Sequence, residues 1–235
     1  MAALTSIRKQ LRAQANPEIA AGSLRFFKTA PGQYGHGDKF LGLRVPALRA
    51  MVRDCDALSL GELETLLDSE WHEERLLALL SMSRRYTKRE EERDALYALY
   101  LSKTDRINNW DLVDSSAEHV VGAHLRDRSR APLTRLAKSK VLWERRIAIL
   151  ATFHYIKRGE YGETLRIAKI LLHDPHDLMH KAVGWMLREV GKRDHAAEEA
   201  FLREHAHEMP RTMLRYAIER FPEELRREFM NVRRA

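Results

Sequence analysis

Apolar residues recur at three- and four-residue spacing along almost the whole chain. Leu76, Leu77, Leu79 and Leu80, then Ile147, Ile149, Leu150 and Phe153, trace the stripes of amphipathic helices. Alternating runs rich in Val, Ile and Thr, the mark of half-buried strands, are missing. Pro17, Pro46, Pro132, Pro175, Pro210 and Pro222 each precede or open a helical stretch, where a first-turn proline leaves no hydrogen bond unmade. These signals predict helices over 3–14, 17–29, 46–55, 60–68, 71–86, 90–102, 108–125, 131–138, 142–157, 161–171, 176–192, 195–205, 210–219 and 222–232. The connections are short, so neighbouring helices form antiparallel pairs.

The helical stretches also repeat. Arg75-Leu76-Leu77-Ala78, Arg146-Ile147-Ala148-Ile149, Lys181-Ala182-Val183-Gly184 and Arg215-Tyr216-Ala217-Ile218 each open with a cation, at spacings of 71, 35 and 34 residues. The first gap is about twice the others, which places a further repeat near residue 110. There the cation gives way to Trp110, followed by Asp111 and Asp114. A period near 35 without the tetratricopeptide or ankyrin boxes fits HEAT-like pairs best. The expected fold is therefore all-α, a right-handed superhelical solenoid of HEAT-like antiparallel helix pairs forming one domain over 1–235. Cation-opened helices on its concave face would make a basic groove.

Composition narrows the partners. The 235 residues carry 41 Lys and Arg against 34 Asp and Glu, a net charge of +7, and a single cysteine, Cys55. That balance favours a polyanion, nucleic acid or a membrane surface. The lone cysteine excludes an internal disulfide framework and points to a reducing compartment. The first twenty residues hold Arg8, Lys9 and Arg12 but no apolar run of signal-peptide length, and no apolar stretch is long enough to span a bilayer. The reading is a cytoplasmic protein, monomeric, with no membrane association.

Two segments invite a chemical reading. Residues 30–42 hold four of the eleven glycines and break the helical pattern. They lack the Gly-Lys-Ser/Thr ending of a P-loop. They are either an ordinary connector or a backbone that approaches a ligand, with Lys39 as a phosphate contact. Trp110 and Asp114 lie one turn apart on one helix face, while Asp111 points roughly 100° away. The segment thus offers one carboxylate beside one indole. Trp185 follows Lys181 at the offset that separates Asp114 from Trp110, and Arg146 opens the repeat between them. Indole faces attract cations, and Arg and Lys hold phosphates. DNA carrying a positively charged alkylated purine satisfies both, although a core Trp and a capping Asp would produce the same letters.

Asn16-Pro17, Arg25-Phe26-Phe27-Lys28, Trp110-Asp111-x-x-Asp114, Trp143-Glu144-Arg145-Arg146 and Lys181-Ala182-Val183-Gly184-Trp185-x-Leu187-Arg188-Glu189 stand here in an order and spacing that resembles the AlkD family. These are bacterial DNA alkylation-repair glycosylases built from HEAT-like repeats, and the resemblance runs from about residue 5 to residue 230. It implies that Asp114 is the catalytic carboxylate, flanked by Trp110 and Trp185. It implies DNA contacts at Arg146, Lys181, Arg188, Phe26, Lys28 and Lys39. The implied partner is double-stranded DNA containing alkylated purines, with no metal and no other cofactor. Phe26 stands where members can carry Tyr, which removes a hydroxyl. Asp177 and Leu178 stand where an aromatic pair can occur.

The remaining polar clusters carry less. His72-Glu73 and His207-Glu208 are too few and unmatched for a HEAT-repeat di-iron hydroxylase. His176 and His180 read as surface or capping residues, and Cys55, between Asp54 and Asp56, as an unreactive thiol. Lys88 to Arg93 and the Arg226, Arg227, Arg233 and Arg234 group read as solvated helix faces. Two rivals to the glycosylase stay open: a non-catalytic relative that binds unusual DNA structures, and a HEAT protein-interaction scaffold.

Overall fold

The computed structural model describes residues 2–232, which leaves Arg233 and Arg234 outside the described residues. The described residues are mainly helical and contain no strand; one isolated bridge joins Lys39 to Trp71. Among the described residues no helix is long and apolar enough to cross a membrane. The chain divides into two compact units between Val120 and Val121.

The first unit contains α1 (Ala2–Ala13), α2 (Pro17–Phe26), α3 (Val45–Met51), α4 (Leu60–Leu67), α5 (His72–Lys88), α6 (Arg93–Ser102) and α7 (Trp110–Asp114). Helix α5 is its axis. Leu76, Leu77, Leu79, Leu80 and Met82 are buried where α3, α4, α6 and α7 close around it. Helix starts follow local chemistry. Asn16 Oδ1 accepts from Glu18 N and Ile19 N, both at 3.0 Å, ahead of Pro17. Ser59 and Glu62 form a reciprocal capping box on α4.

The second unit contains α8 (Ala131–Ala137), α9 (Leu142–Ala151), α10 (Phe153–Ile156), α11 (Gly162–Ile170), α12 (Asp177–Gly191), α13 (His195–His205), α14 (Arg211–Ala217) and α15 (Glu223–Asn231). Here α12 is the axis, against α9, α11, α13 and α14. Gly184 permits its closest approach, since a Cβ there would stand 2.4 Å from the Met213 carbonyl of α14.

Two helices predicted as continuous break beside a side-chain hydroxyl. The 108–125 stretch stops as α7 at Asp114 and resumes as a π turn, Glu118–Gly122. Ser116 Oγ donates to Leu112 O at 2.6 Å, a side-chain bond that competes with the helix ladder. The 142–157 stretch breaks at Thr152, whose hydroxyl donates to Ile149 O at 2.6 Å. Helix 17–29 ends at Phe26, because Lys28 takes the left-handed conformation with φ 56°.

The repeat register needs correction by one residue. Arg75 Nη1 donates to Ser69 O at 2.9 Å, and Arg145 Nη1 to Ser139 O at 3.0 Å. His180 Nε2 meets Asp174 O at 2.5 Å. Each reaches the carbonyl six residues behind it, where the residue's own side chain accepts from the amide two further on: Ser69 from Trp71, Ser139 from Val141, Asp174 from His176. The grid is therefore 75, 110, 145, 180 and 215. Trp110 keeps its place on it, but Arg146 and Lys181 fall one position late. Asp114 then corresponds to Ile149 and Gly184, and Trp185 to Ser115. The cation row does not simply line a groove either: Arg75 is 2% exposed, because it is needed to close a loop.

Candidate active site on the first unit

The glycine-rich segment is fastened to the rest of the first unit. Gly35 N donates to Lys28 O, and a Cβ at Gly35 would lie 2.4 Å from the Phe27 carbonyl. Glu73 accepts from Leu41 N, Gly42 N and Leu43 N at 2.8–3.2 Å. So fastened, the segment delivers Asp38 into the unit, 7% exposed.

Asp38 accepts from Arg75 Nη2 at 2.7 Å and Asn108 Nδ2 at 3.1 Å, and it faces His72 Nδ1 at 3.1 Å. His72 Nε2 meets Asp111 Oδ2 at 2.8 Å. Burial alone would push the His72 pKa down. The charges and hydrogen bonds of Asp111 and Asp38 outweigh it and hold the ring near 9, so both nitrogens donate. Burial would raise Asp38, but His72 and Arg75 bring it below its ordinary value. Asp111 is thereby engaged in the fold.

Aromatic rings continue from this cluster to the surface. Phe27 stacks on Phe40 at 5.1 Å, lies 4.9 Å from His72, and stacks on Trp110 at 5.5 Å. Phe26, 63% exposed, meets Trp110 edge-on at 5.7 Å. A cavity of about 470 Å³ opens beside Phe26, Phe27, Phe40, His72 and Asp111. The indole is thus fixed by two phenylalanines, and α7 by the Asp111–His72 pair. Asp114 closes α7 and is partly exposed. Beneath it the buried Tyr100 hydroxyl pairs with Ser116 Oγ at 2.9 Å, its pKa raised by burial and further by the Asp114 charge.

The sequence profile of the DNA alkylation repair enzyme family matches residues 7–221. The chain belongs to that family. Among solved structures, a predicted DNA alkylation repair enzyme from Enterococcus faecalis shares the fold with a TM-score of 0.69. It is 19% identical, and the similarity covers 89% of this chain and 98% of that one. No curated protein matches the chain in sequence.

The other residues expected to serve this repair enzyme are distributed as follows. In the first unit Lys39 Nζ pairs with Glu70 at 2.7 Å, both exposed, and Lys28 is exposed at the end of α2. In the second, Trp185 Nε1 donates to Glu189 at 3.3 Å and meets Phe153 edge-on at 6.0 Å. Arg146 is 5% exposed and donates to Leu178 O at 2.7 Å. Lys181 pairs with Asp177 at 2.6 Å, and Arg188 with Glu219. His176 caps α12, as expected, and the Cys55 thiol is buried, its pKa raised by burial and the neighbouring aspartates. Lys88 to Arg93 is more than a solvated face: Glu92 receives both Arg85 and Arg89, and Arg89 also reaches Asp56 O at 2.7 Å.

Sequence reasoning passed over Asp38 and weighed His72 only as half of an unmatched His72-Glu73 pair. Neither has a motif; their pairing spans 34 residues and joins a loop to the start of α5. The one available signal was Asp111, whose phase turned it away from Trp110 and Asp114 and so required a partner elsewhere.

Proposed function

We propose that this repair enzyme is a monofunctional DNA glycosylase that releases cationic N3- and N7-alkylated purines and leaves an abasic site. The observation that carries the reading is the division of labour on α7. Asp111 is held by His72, and Asp114, partly exposed, lies one helical turn from a braced indole. A purine alkylated at N3 or N7 is already positively charged. When its glycosidic bond breaks, the electron pair neutralises the base, so no proton donor is needed. The sugar becomes an oxocarbenium ion, which one carboxylate stabilises. Water then adds to C1′ and gives its proton to Asp114. Trp110 favours the cationic base over the neutral one through its π face. Trp185 would supply the second indole, and Arg146, Lys181, Arg188, Phe26, Lys28 and Lys39 the contacts to the strand. The protein would act as a monomer in the cytoplasm.

The test is base release from duplexes carrying N7-methylguanine or N3-methyladenine, with wild type and Asp114→Asn compared at saturating protein. Release by wild type, lost in the variant while DNA binding persists, supports the assignment. Folded wild type that binds these duplexes but releases neither base above the spontaneous rate would leave a DNA-structure binder.

A further inference from the structure

Outside the α7 site, the first unit holds a second cavity of about 330 Å³ in which cations converge. Three segments each turn a pair of residues four apart toward it. Arg49 and Arg53 come from the end of α3 and the turn after it, Ser83 and its successor one turn on from α5, and Ser115 and His119 from the chain beyond α7. Arg84 joins them, held in place by Asp56 at 3.1–3.2 Å.

The charge arithmetic makes this arrangement informative. Residues 1–120 carry 17 Lys and Arg against 18 Asp and Glu, a net of −1. Carboxylates are not scarce there, and most arginines of α1 and α5 have one: Arg8 and Arg12 on Glu74, Arg75 on Asp38, Arg85 on Glu92. Arg49 and Arg53 make no ion pair among the described residues and are exposed at the cavity. His119 is exposed there too. The Ser83 and Ser115 hydroxyls spend their protons on Leu79 O and Leu112 O. The donors available to a ligand are therefore guanidinium and imidazole N–H groups, a set suited to a multivalent oxyanion.

We propose that this cavity seats a backbone phosphodiester of the bound DNA strand, together with its adjoining sugar. Ser115 lines the cavity and follows Asp114 directly in the chain, so the phosphate is anchored next to the reacting nucleotide. The volume exceeds that of a phosphate alone and admits a sugar beside it. This inference rests on the glycosylase reading for its ligand, but it makes its own prediction about binding.

The experiment measures the salt dependence of binding to undamaged duplex by fluorescence anisotropy. Each neutralised phosphate contributes about 0.9 to the slope of log K against log salt. The double variant Arg49→Gln with Arg53→Gln should lower the slope by about 0.9, the share of one phosphate, and each single variant by part of that, while Arg53→Lys retains it. Lys9→Gln, the same charge change on exposed α1, should leave it unaltered. Equal slopes for wild type and both arginine variants overturn the phosphate seat, as does an equal fall in Lys9→Gln. Base release from N7-methylguanine duplex by the same preparations separates the two readings. Lowered slopes with no release by wild type would keep the seat and remove the glycosylase. Release that vanishes in Asp114→Asn, with all slopes equal, would do the reverse. Inorganic phosphate competing with the duplex for wild type but equally for the double arginine variant would also count against the seat.

Discussion

Two aspartates three residues apart on one short helix carry opposite assignments, and substitution separates them. Asp114→Asn removes the negative charge at the end of α7 and keeps the size of the side chain. Base release under single-turnover conditions should fall by about 100-fold or more, with the dissociation constant unchanged. Asp111→Asn removes one of two charges from a protonated, buried His72 and should cost about 3 kcal/mol of stability in urea titrations. His72 also sets a pH dependence. Its folded pKa, about 9, lies above its ordinary 6.5, so its stabilisation is complete below 6.5 and is lost as pH rises through 9. The shift corresponds to something on the order of 3 kcal/mol. Asp38 acts with the opposite sign, its contribution disappearing as pH falls through its lowered value. Stability should therefore peak in mildly acidic solution, and the denaturation midpoint should drop between pH 6 and pH 9.5. His72→Gln should flatten that alkaline decline; an unchanged decline would assign it to other groups.

At the scale of the element, what the sequence disclosed and what it hid divide along one physical line. Helix starts were legible because Asn16, Ser59 and the prolines act on their nearest neighbours. Trp110 and Asp114 were legible as a shared face because a helix turn fixes their phase. The breaks at Ser116 and Thr152 were hidden, since a hydroxyl that bonds to its own helix does so only where packing lets it turn inward. The one-residue error in register arose for the same reason: Arg145 and Arg146 are equivalent letters, and only the bond to Ser139 O distinguishes them. The end of α2 offers a direct measurement. Lys28 holds φ 56°, a conformation that costs an L-residue more than a glycine, and Thr29 N closes the turn on Leu24 O at 3.2 Å. Lys28→Gly should raise stability by about 0.5 kcal/mol, the relief of strain exceeding the added freedom of the unfolded chain. If Lys28 also touches DNA, the same variant binds duplex more weakly, so stability and affinity would move in opposite directions. A glycine variant less stable than wild type would mean that the lysine stem is held by packing.

Across the whole molecule the charge is divided unequally, and the repeat grid locates part of the difference. Residues 1–120 have a net charge of −1, whereas residues 121–235 carry 24 Lys and Arg against 16 Asp and Glu, a net of +8. The loop before α5 reads Asp68-Ser69-Glu70, and its counterpart before α9, 70 positions on, reads Lys138-Ser139-Lys140. The serine performs the same hydrogen bonding in both, and the arginine six residues later grips it in both. The flanking charges are reversed. Asp68 and Glu70 are satisfied by Lys103 and Lys39, while Lys138 and Lys140 are exposed and make no ion pair among the described residues. The scaffold therefore constrains the serine and the arginine and leaves the flanking positions free to differ in charge. Copying the first loop into the second, Lys138→Asp with Lys140→Glu, should change stability by no more than about 0.5 kcal/mol, since exposed positions of this kind contribute little. It should weaken duplex binding about tenfold at low salt, with the difference shrinking as salt screens the charges over a Debye length of about 10 Å at 0.1 M. The reciprocal change, Asp68→Lys with Glu70→Lys, would strip Lys39 of its partner and leave Lys103 with Glu64 alone, and should strengthen binding by less, because the unit around it has no net positive field to join. Anisotropy titrations at two salt concentrations read both effects. Equal responses from the two loops would show that net charge alone, and not its placement in the second unit, governs the approach of DNA.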